Sequence, residues 1–341
     1  MQARAFITGL AGTAITPEER AFFQEFQPWG LILFKRNIDT AAQVFALTTA
    51  FRDIVNRPDA PVLIDQEGGR VQRMGPPHWP SYPPGAAYGR LYDRDRLKGL
   101  AAAGLGGRLI AADLIAVGIT VDCLPVADVP VAGADAVIGD RAYGDTPEKV
   151  AALAGVAAEG LAAGGVLPVL KHIPGHGRAT ADSHAALPVV DAADAELDAH
   201  DFAAFRPLAG LPMAMTAHVV FSAIDPVAPA TTSVKMIQKV IRERIGFQGL
   251  LMSDDVSMNA LSGTLAERTR AALAAGCDVA LHCNGQMDEM RQVAAESPQL
   301  AGKAAERAAA ALAARKGPQD IDLGTAREQF AALMAEAVVT S

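Results

Sequence analysis

The stretch Val166-Leu167-Pro168-Val169-Leu170-Lys171-His172 is a short, continuous apolar run that ends in two polar residues. Such a run is typical of a strand buried on both faces, as in a parallel sheet with helices on either side. A segment of helical period, residues 147–163, precedes it. Helices and strands alternate in this way in α/β proteins, so we expect the same pair of elements to recur along the chain.

The pattern does recur. Short apolar runs followed by polar residues predict eight strands, at residues 5–9, 30–34, 61–64, 119–123, 166–170, 213–216, 250–252 and 278–281. Segments of helical period predict helices between them, at residues 41–55, 99–117, 147–163, 233–245 and 265–275. This alternation indicates one parallel sheet that is covered by helices.

Eight strands over most of the chain fit a closed (β/α)₈ barrel of the TIM type, which takes roughly 250 residues. We therefore predict an α/β fold in which residues 1–341 form a single barrel, with about residues 301–341 as a C-terminal helical tail. The alternative is a doubly wound open sheet, which has a glycine-rich phosphate turn after its first strand. The turn Thr8-Gly9-Leu10-Ala11-Gly12-Thr13 matches that pattern poorly.

The composition limits the partners of the protein. The formal net charge is −8 and no basic cluster stands out, which argues against nucleic-acid binding. The three cysteines, Cys123, Cys277 and Cys283, are too few and too irregularly spaced for a disulfide framework. No stretch of about 20 apolar residues is present. We expect a cytoplasmic protein with no membrane attachment.

Polar residues gather where the predicted strands end. Barrel enzymes carry their catalytic groups at these ends, and polar groups in a core are otherwise costly. The residues concerned are Asp65, Asp122 or Asp128, Lys171-His172, His218, Asp254-Asp255, and His282 with Asn284.

The segment Ile64-Asp65-Gln66-Glu67-Gly68-Gly69-Arg70-Val71-Gln72-Arg73 follows the third predicted strand. An ionised Asp65 can accept hydrogen bonds from two sugar hydroxyls. The two glycines allow a tight turn that returns an arginine toward the ligand. A salt bridge between Asp65 and an arginine of the loop is the alternative interpretation.

The densest polar segment runs from Lys171-His172-Ile173-Pro174-Gly175-His176-Gly177 to Asp182-Ser183-His184. Asp182 and His184 lie two residues apart and can face one side of an extended segment. A carboxylate beside an imidazole stabilises the imidazolium cation, so His184 is a candidate general acid/base. The rival interpretation is a zinc site formed by His172, His176 and Asp182. The His-x-His that a barrel metallohydrolase carries on its first strand is missing, and we predict no metal.

The segment Gly249-Leu250-Leu251-Met252-Ser253-Asp254-Asp255 is an apolar strand that ends in two acids. Successive residues of a strand face opposite ways, so only one of the two acids is expected to point into the barrel mouth. That acid is a candidate nucleophile. The alternative role for Asp254 is a helix N-cap.

Together these segments resemble glycoside hydrolase family 3. Residues 240–257 agree with the nucleophile signature of that family, and Lys171-His172 with Pro174-Gly175-His176-Gly177 is similar to its substrate-binding strand end. Asp182-Ser183-His184 resembles the β-N-acetylglucosaminidase branch used in bacterial cell-wall recycling. The resemblance extends over about residues 5–290 and implies a TIM-type barrel.

The resemblance also implies a role for each matching residue. Asp254 would be the nucleophile, His184 the general acid/base and Asp182 its partner. A further set would bind N-acetylglucosamine: Asp65, Arg73, Arg141, Lys171 and His172. The enzyme would be a retaining exo-β-N-acetylglucosaminidase that needs no cofactor and acts on a small-molecule substrate, an N-acetylglucosaminyl muropeptide. We expect a monomer or a weak dimer.

Other functions remain open at this point. Within the family, a phosphorylase or a β-glycosidase of broader specificity would use the same barrel. Attack by the acetamido oxygen of the substrate would replace Asp254 as nucleophile. From other classes, the candidates are a barrel metallohydrolase, a Schiff-base lyase acting through Lys171 and a sugar-binding barrel without turnover.

Overall fold

The computed structural model describes residues 3–183 and 186–338. Within these ranges, eight parallel strands close into a barrel in which each strand pairs with its neighbours in sequence. The last strand closes onto the first, with Ala280 opposite Phe6. The strands are β1 Arg4–Thr8, β2 Pro28–Leu33, β3 Val62–Ile64, β4 Val121–Asp122, β5 Leu167–Ile173, β6 Met213–Thr216, β7 Leu250–Asp255 and β8 Val279–His282. All eight predicted strands and the predicted barrel are confirmed.

Helices surround the barrel. They are α1 Pro17–Phe26, α2 Ala41–Val55, α3 Gly85–Arg94, α4 Arg96–Ile115, α5 Pro147–Ala163, α6 Asp194–Ala199, α7 Met236–Ile245, α8 Leu265–Ala275, α9 Met287–Glu296, α10 Gly302–Ala314 and α11 Leu323–Val338. Among the described residues, no helix is long and apolar enough to cross a lipid bilayer.

One predicted helix start was wrong, and a capping side chain explains it. Helix α4 begins at Arg96, three residues before the predicted start, because the Asp95 carboxylate accepts hydrogen bonds from the Leu97 and Lys98 amides. Helix α7 was predicted from residue 233, and Ser233 lies at its N-terminal end: residues 234–235 are helical ahead of Met236, and Ser233 Oγ accepts from the Met236 amide at 3.1 Å. Oxygen side chains at these positions satisfy amides that have no partner within the helix.

The barrel interior is filled by apolar side chains from alternate strand positions, among them Ile7, Leu63, Val169 and Met252. Trp29 and helix α10 close the end of the barrel where the strands begin, with Ala308 and Ala311 packed into the same core. Burial of each of the larger aliphatic side chains, such as Ile7 or Leu63, contributes about 1.5–3 kcal/mol. In the described part of the chain, the barrel interior is therefore a packed core, and the end where the strands finish is left for a ligand.

The predicted helical tail is present as helices α10 and α11, at Gly302–Ala314 and Leu323–Val338, and it packs onto the barrel. Phe330 of α11 contacts the apolar cores on both sides of α4. The Arg327 guanidinium donates to Asp113 at 2.7 Å, and Tyr82 Oη donates to the same carboxylate at 2.6 Å. These contacts tie α11 to α4 and to the loop before α3.

A short hairpin follows β3 and shapes the open end of the barrel. Gln66–Gly68 pairs with Val71–Gln72, and Gly68 and Gly69 form the turn with φ angles of 96° and 59°. A Cβ atom on Gly68 would lie 2.3 Å from the Pro83 carbonyl oxygen, so a side chain does not fit there. The turn returns the chain, and with it Arg73, toward the end of β3.

Candidate active site

The carboxyl ends of the strands surround a cavity of about 330 Å³. Apolar side chains of β2, β6 and β8 form its floor, with Ile32, Met215 and Leu281 as examples. Of the residues predicted for the site, seven line this cavity: Asp65, Arg73, Arg141, Lys171, His172, Asp182 and Asp254. They come from segments as far apart as residues 65 and 254, and the barrel brings them together.

Lys171 lies at the centre of a buried ion-pair network. Its Nζ is 2.8 Å from Asp65 Oδ1 and 2.6 Å from Glu67 Oε1, and its side chain is 2% exposed. Burial lowers the pKa of Lys171, but Asp65 and Glu67 outweigh burial and raise the pKa above its usual value. The side chain is therefore an ammonium ion, which is a hydrogen-bond donor and has no lone pair for Schiff-base formation.

Asp65 stays ionised in this network. Burial raises its pKa, but Lys171 and Arg73 together bring the pKa below its usual range. Arg73 Nη2 is 3.2 Å from Asp65 Oδ2, and the guanidinium lies over the Phe34 ring at 5.2 Å from its centroid. Asp65 thus forms the salt bridge that the sequence allowed and, in the same position, lines the cavity.

Glu67 is a buried carboxylate that the sequence prediction did not select. Its Oε2 accepts from Arg141 Nε and its Oε1 from Arg141 Nη2, each at 2.8 Å. Burial raises the Glu67 pKa, but Lys171 and Arg141 lower it to about 2. The two-point contact holds Arg141, which lies in the loop between β4 and α5, against the cavity. Two carboxylates thus fix three cations at this wall.

Asp128 holds His172 in one tautomer. Burial raises the Asp128 pKa, but His172 and His176 bring it below the usual value, so this carboxylate accepts hydrogen bonds and donates none. His172 Nδ1, at 2.7 Å from Asp128 Oδ2, must then carry the proton. This leaves Nε2 as the ring nitrogen available to a ligand in the cavity. The prediction named Asp128 as a strand-end group but gave it no role.

His176 is buried and neutral. Its amide donates to Asp128 Oδ1 at 2.7 Å, and its Nε2 shares a hydrogen bond of 3.1 Å with Ser183 Oγ. Burial and the neighbouring His172 lower the His176 pKa to about 4. A histidine with this pKa is uncharged near neutral pH, and here it serves as a hydrogen-bonding partner of Ser183.

Asp254 and Asp255 stand side by side at the end of β7 and make different contacts. The Asp255 carboxylate accepts from the Ser257 amide at 3.0 Å, from Ser257 Oγ at 2.7 Å and from the Cys283 amide at 3.2 Å. It therefore supports the loops around the strand end and forms part of the cavity wall. Asp254 lines the cavity too, and its Oδ1 accepts from the Asp255 amide at 2.8 Å.

Two of the strand-end histidines do not line the cavity. His218 Nε2 is bound to the Asp255 carbonyl oxygen at 2.9 Å and its Nδ1 to Thr231 Oγ1 at 2.7 Å. His282 is fully buried, with Nε2 at 3.1 Å from Glu289 Oε2. Both imidazoles thus support loops, since position at a strand end does not determine which way a side chain points.

The proposed acid/base, His184, lies outside the described residues. Its neighbours Asp182 and Ser183 line the cavity. In residues 3–183 and 186–338, no three His, Cys, Asp or Glu side chains are grouped so that they could hold a metal ion. His172, His176 and Asp182 are therefore not assembled as the zinc site that the sequence left open.

Comparison with known proteins gives one consistent result. The model of the glycosyl hydrolase family 3 N terminal domain matches residues 7–313. A beta-hexosaminidase from Alkalilimnicola ehrlichii is 42% identical over 280 residues, which is 81% of this chain and 79% of the relative. One from Chromobacterium violaceum is 38% identical over 330 residues, 96% of this chain and 91% of the relative. The crystal structure of NagZ from Neisseria gonorrhoeae in complex with N-trifluoroacetyl-D-glucosamine is similar with a TM-score of 0.85 and 32% identity, covering 99% of this chain and 97% of that one.

Proposed function

The chain belongs to glycosyl hydrolase family 3 and is a β-N-acetylhexosaminidase, and from that premise we propose that it works as a retaining exo-enzyme with Asp254 as its covalent nucleophile. It removes a terminal, non-reducing N-acetylglucosamine from peptidoglycan fragments, namely N-acetylglucosaminyl-1,6-anhydro-N-acetylmuramyl muropeptides. The observation that carries the proposal is that Asp254 shares one cavity with the network around Lys171.

The cavity supports recognition of a single sugar ring. Its volume of about 330 Å³ is near the lower end for ligand pockets, which favours release of one terminal residue. Ionised Asp65 accepts hydrogen bonds from sugar hydroxyls, while Lys171 and Arg73 donate to hydroxyl oxygens. These groups are already held by each other, so little ordering is needed when a sugar binds.

In the first step, an Asp254 carboxylate oxygen attacks the anomeric carbon as the bond from that carbon to the leaving oxygen breaks. His184 gives its proton to the leaving oxygen, and the sugar is left as an ester of Asp254. In the second step, water attacks the anomeric carbon, His184 takes the proton of the water, and the ester bond breaks. Two displacements return the β configuration of the substrate.

A histidine suits the acid/base role at neutral pH. Its usual pKa is about 6.5, so it changes charge in this range without the burial that a glutamic acid would need. Asp182, two residues away in sequence, would favour the protonated imidazole needed in the first step.

The relatives support the proposed class of sugar substrate. The NagZ structure from Neisseria gonorrhoeae holds N-trifluoroacetyl-D-glucosamine, a sugar with an acyl group on its amine. We extend the binding of an N-acylated glucosamine to this chain. A histidine acid/base leaves less negative charge facing an incoming phosphate than a glutamate would, which lowers the repulsion against phosphate as the acceptor. Phosphorolysis is therefore the second candidate reaction, and turnover compared in phosphate and in a non-nucleophilic buffer decides between the two.

Trapping with a 5-fluoro-N-acetylglucosaminyl fluoride tests the proposal. The fluorine slows both steps and the fluoride leaving group speeds only the first, so the glycosyl-enzyme accumulates. Proteolysis and mass spectrometry should find the added sugar mass on the peptide that contains Asp254. An adduct on another residue would refute the assignment, and so would continued turnover without any adduct.

A further inference from the structure

Ser183 is a buried serine that is held from two sides. Its Oγ is 3.1 Å from His176 Nε2, and its carbonyl oxygen accepts from the Ala260 amide at 3.2 Å. His176 follows β5, and Ala260 lies in the loop after β7. The residue between Asp182 and His184 is thus joined both to the strand end that carries His172 and to the loop that follows Asp254.

The partner of Ser183 is itself fixed. The Asp128 carboxylate accepts from the His176 amide at 2.7 Å and from the His172 amide at 3.2 Å. The His172 and His176 rings lie against each other, with centroids 5.8 Å apart and planes at 63°. One buried carboxylate therefore sets the position of the ring that faces the sugar and of the ring that binds Ser183.

We propose that Ser183 is a positioning residue of the active site: its hydrogen bond to His176 holds Ser183 and the adjoining Asp182 at the cavity, and so bears on His184, which follows them in the sequence. The inference rests on the proposed function, in which His184 is the acid/base. Successive Cα atoms are about 3.8 Å apart, so an anchor at Ser183 acts on the residues on both sides of it. Through Asp128, the proton-delivering segment and the sugar-binding His172 share one support.

A neutral anchor suits this position. His176 keeps the same charge through the neutral range because burial and His172 depress its pKa to about 4. The contact with Ser183 therefore persists at the pH where a histidine acid/base of ordinary pKa would change its protonation. His176, which binds Ser183, must keep one charge state, whereas the acid/base His184 must change its charge state. The two histidines are eight residues apart in the sequence.

The S183A variant tests the proposal by the dependence of rate on the leaving group. A 2,4-dinitrophenyl N-acetylglucosaminide needs no proton on its leaving oxygen, whereas the methyl glycoside does. We expect kcat/KM of S183A to fall about 10- to 100-fold on the methyl glycoside, in the range set by misplacement of a catalytic group, and to change less than about threefold on the dinitrophenyl glycoside. S183T, which keeps the hydroxyl, should recover most of the loss.

The matched control is S297A. Ser297 is another buried serine, and its Oγ donates to the Val293 carbonyl at 2.8 Å at the closed end of the barrel. Removal of this hydroxyl should leave both rates unchanged. A double-mutant cycle with H176A tests whether the loss of kcat/KM comes from the contact between Ser183 and His176. If it does, S183A should lower kcat/KM on the methyl glycoside little further once His176 is replaced.

The H184A variant separates failure of this inference from failure of the proposed function. If H184A is selectively slow on the methyl glycoside and S183A equals wild type, the positioning role is refuted and the function stands. If S183A slows both substrates equally and unfolds at a lower temperature, its role is structural and the inference is again refuted. If H184A itself slows both substrates equally, His184 is not the acid/base, and the proposed mechanism and the inference both fail.

Discussion

Two walls of the same cavity are built from different interactions. The sugar-holding wall comprises Asp65, Glu67, Arg73, Arg141 and Lys171, and it is joined by ion pairs of 2.6–3.2 Å. The reacting wall comprises His176, Ser183 and Asp254. A neutral hydrogen bond joins His176 to Ser183, and backbone amides contact Ser183 and Asp254.

The difference has a physical consequence. Removal of one partner from a buried ion pair leaves an uncompensated charge, which costs about 3–5 kcal/mol. Loss of a neutral hydrogen bond costs about 1 kcal/mol. Substitutions in the sugar-holding wall should therefore lower both stability and sugar binding, whereas those in the reacting wall should lower the chemical rate and leave the fold intact.

The largest effect is expected on the reacting wall. D254A should lower kcat by roughly 10⁴-fold or more, as for other nucleophile deletions. The free energy of unfolding should stay within about 1 kcal/mol of wild type, because the hydrogen bond from the Asp255 amide to the Asp254 carboxylate is a local contact between neighbouring residues. Steady-state kinetics and chemical denaturation measure both quantities. A large loss of stability would place Asp254 among the structural groups and remove the contrast between the walls.

The next effect is expected from K171M. Methionine leaves Asp65 and Glu67 without their shared cation, so the free energy of unfolding should fall by about 3–5 kcal/mol, and binding of a competitive sugar inhibitor should weaken. The exposed pair Lys239–Glu243, at 2.9 Å, provides the control, since K239M should change stability by less than about 1 kcal/mol. Equal effects in the two variants would show that the network adds no stability through its burial.

The reacting wall should make the stability of the protein depend on pH through His176. Its pKa is depressed to about 4 by burial and by His172, against the pull of Asp128 and Asp254, while an unfolded chain titrates near 6.5. The unfolded state therefore binds the proton first as the pH falls. Stability should be full above about pH 6.5 and decline toward pH 4, by up to about 3 kcal/mol. Thermal unfolding of wild type and H176Q between pH 4 and pH 6.5 measures this decline in stability. If the stability of H176Q falls with pH as steeply as that of wild type, the decline belongs to other groups.

The smallest effect is expected from E67Q. Glutamine keeps the shape of Glu67 and some of its hydrogen bonds to Arg141, but it removes the charge. We expect kcat/KM to fall about 10-fold, mostly through KM, because a displaced Arg141 weakens ground-state binding. E243Q, at an exposed position, is the control. A fall in kcat alone would indicate that Glu67 acts on the reaction itself.

The sequence predicts the barrel well because strand and helix periods are local properties. The eight apolar runs became the eight strands, and helix α5 has the predicted ends. Prediction was weaker for groups that act through distant contacts. Glu67 binds Arg141 across 74 residues and Asp128 binds His172 across 44, and no local pattern contains either pair. For His218 and His282 the local pattern predicted too much, since both occupy strand ends but their rings bind loops and do not line the cavity.

The most direct test of Asp254 as nucleophile is the product that the D254A variant forms in the presence of azide. A small anion can enter the space left by the carboxylate and attack the anomeric carbon of a 2,4-dinitrophenyl N-acetylglucosaminide from the same side. The account predicts that azide restores turnover and that proton NMR identifies the α-glycosyl azide. A β-glycosyl azide, or release of free β-N-acetylglucosamine at the wild-type rate, would mean that another nucleophile forms the intermediate, and it would contradict the account.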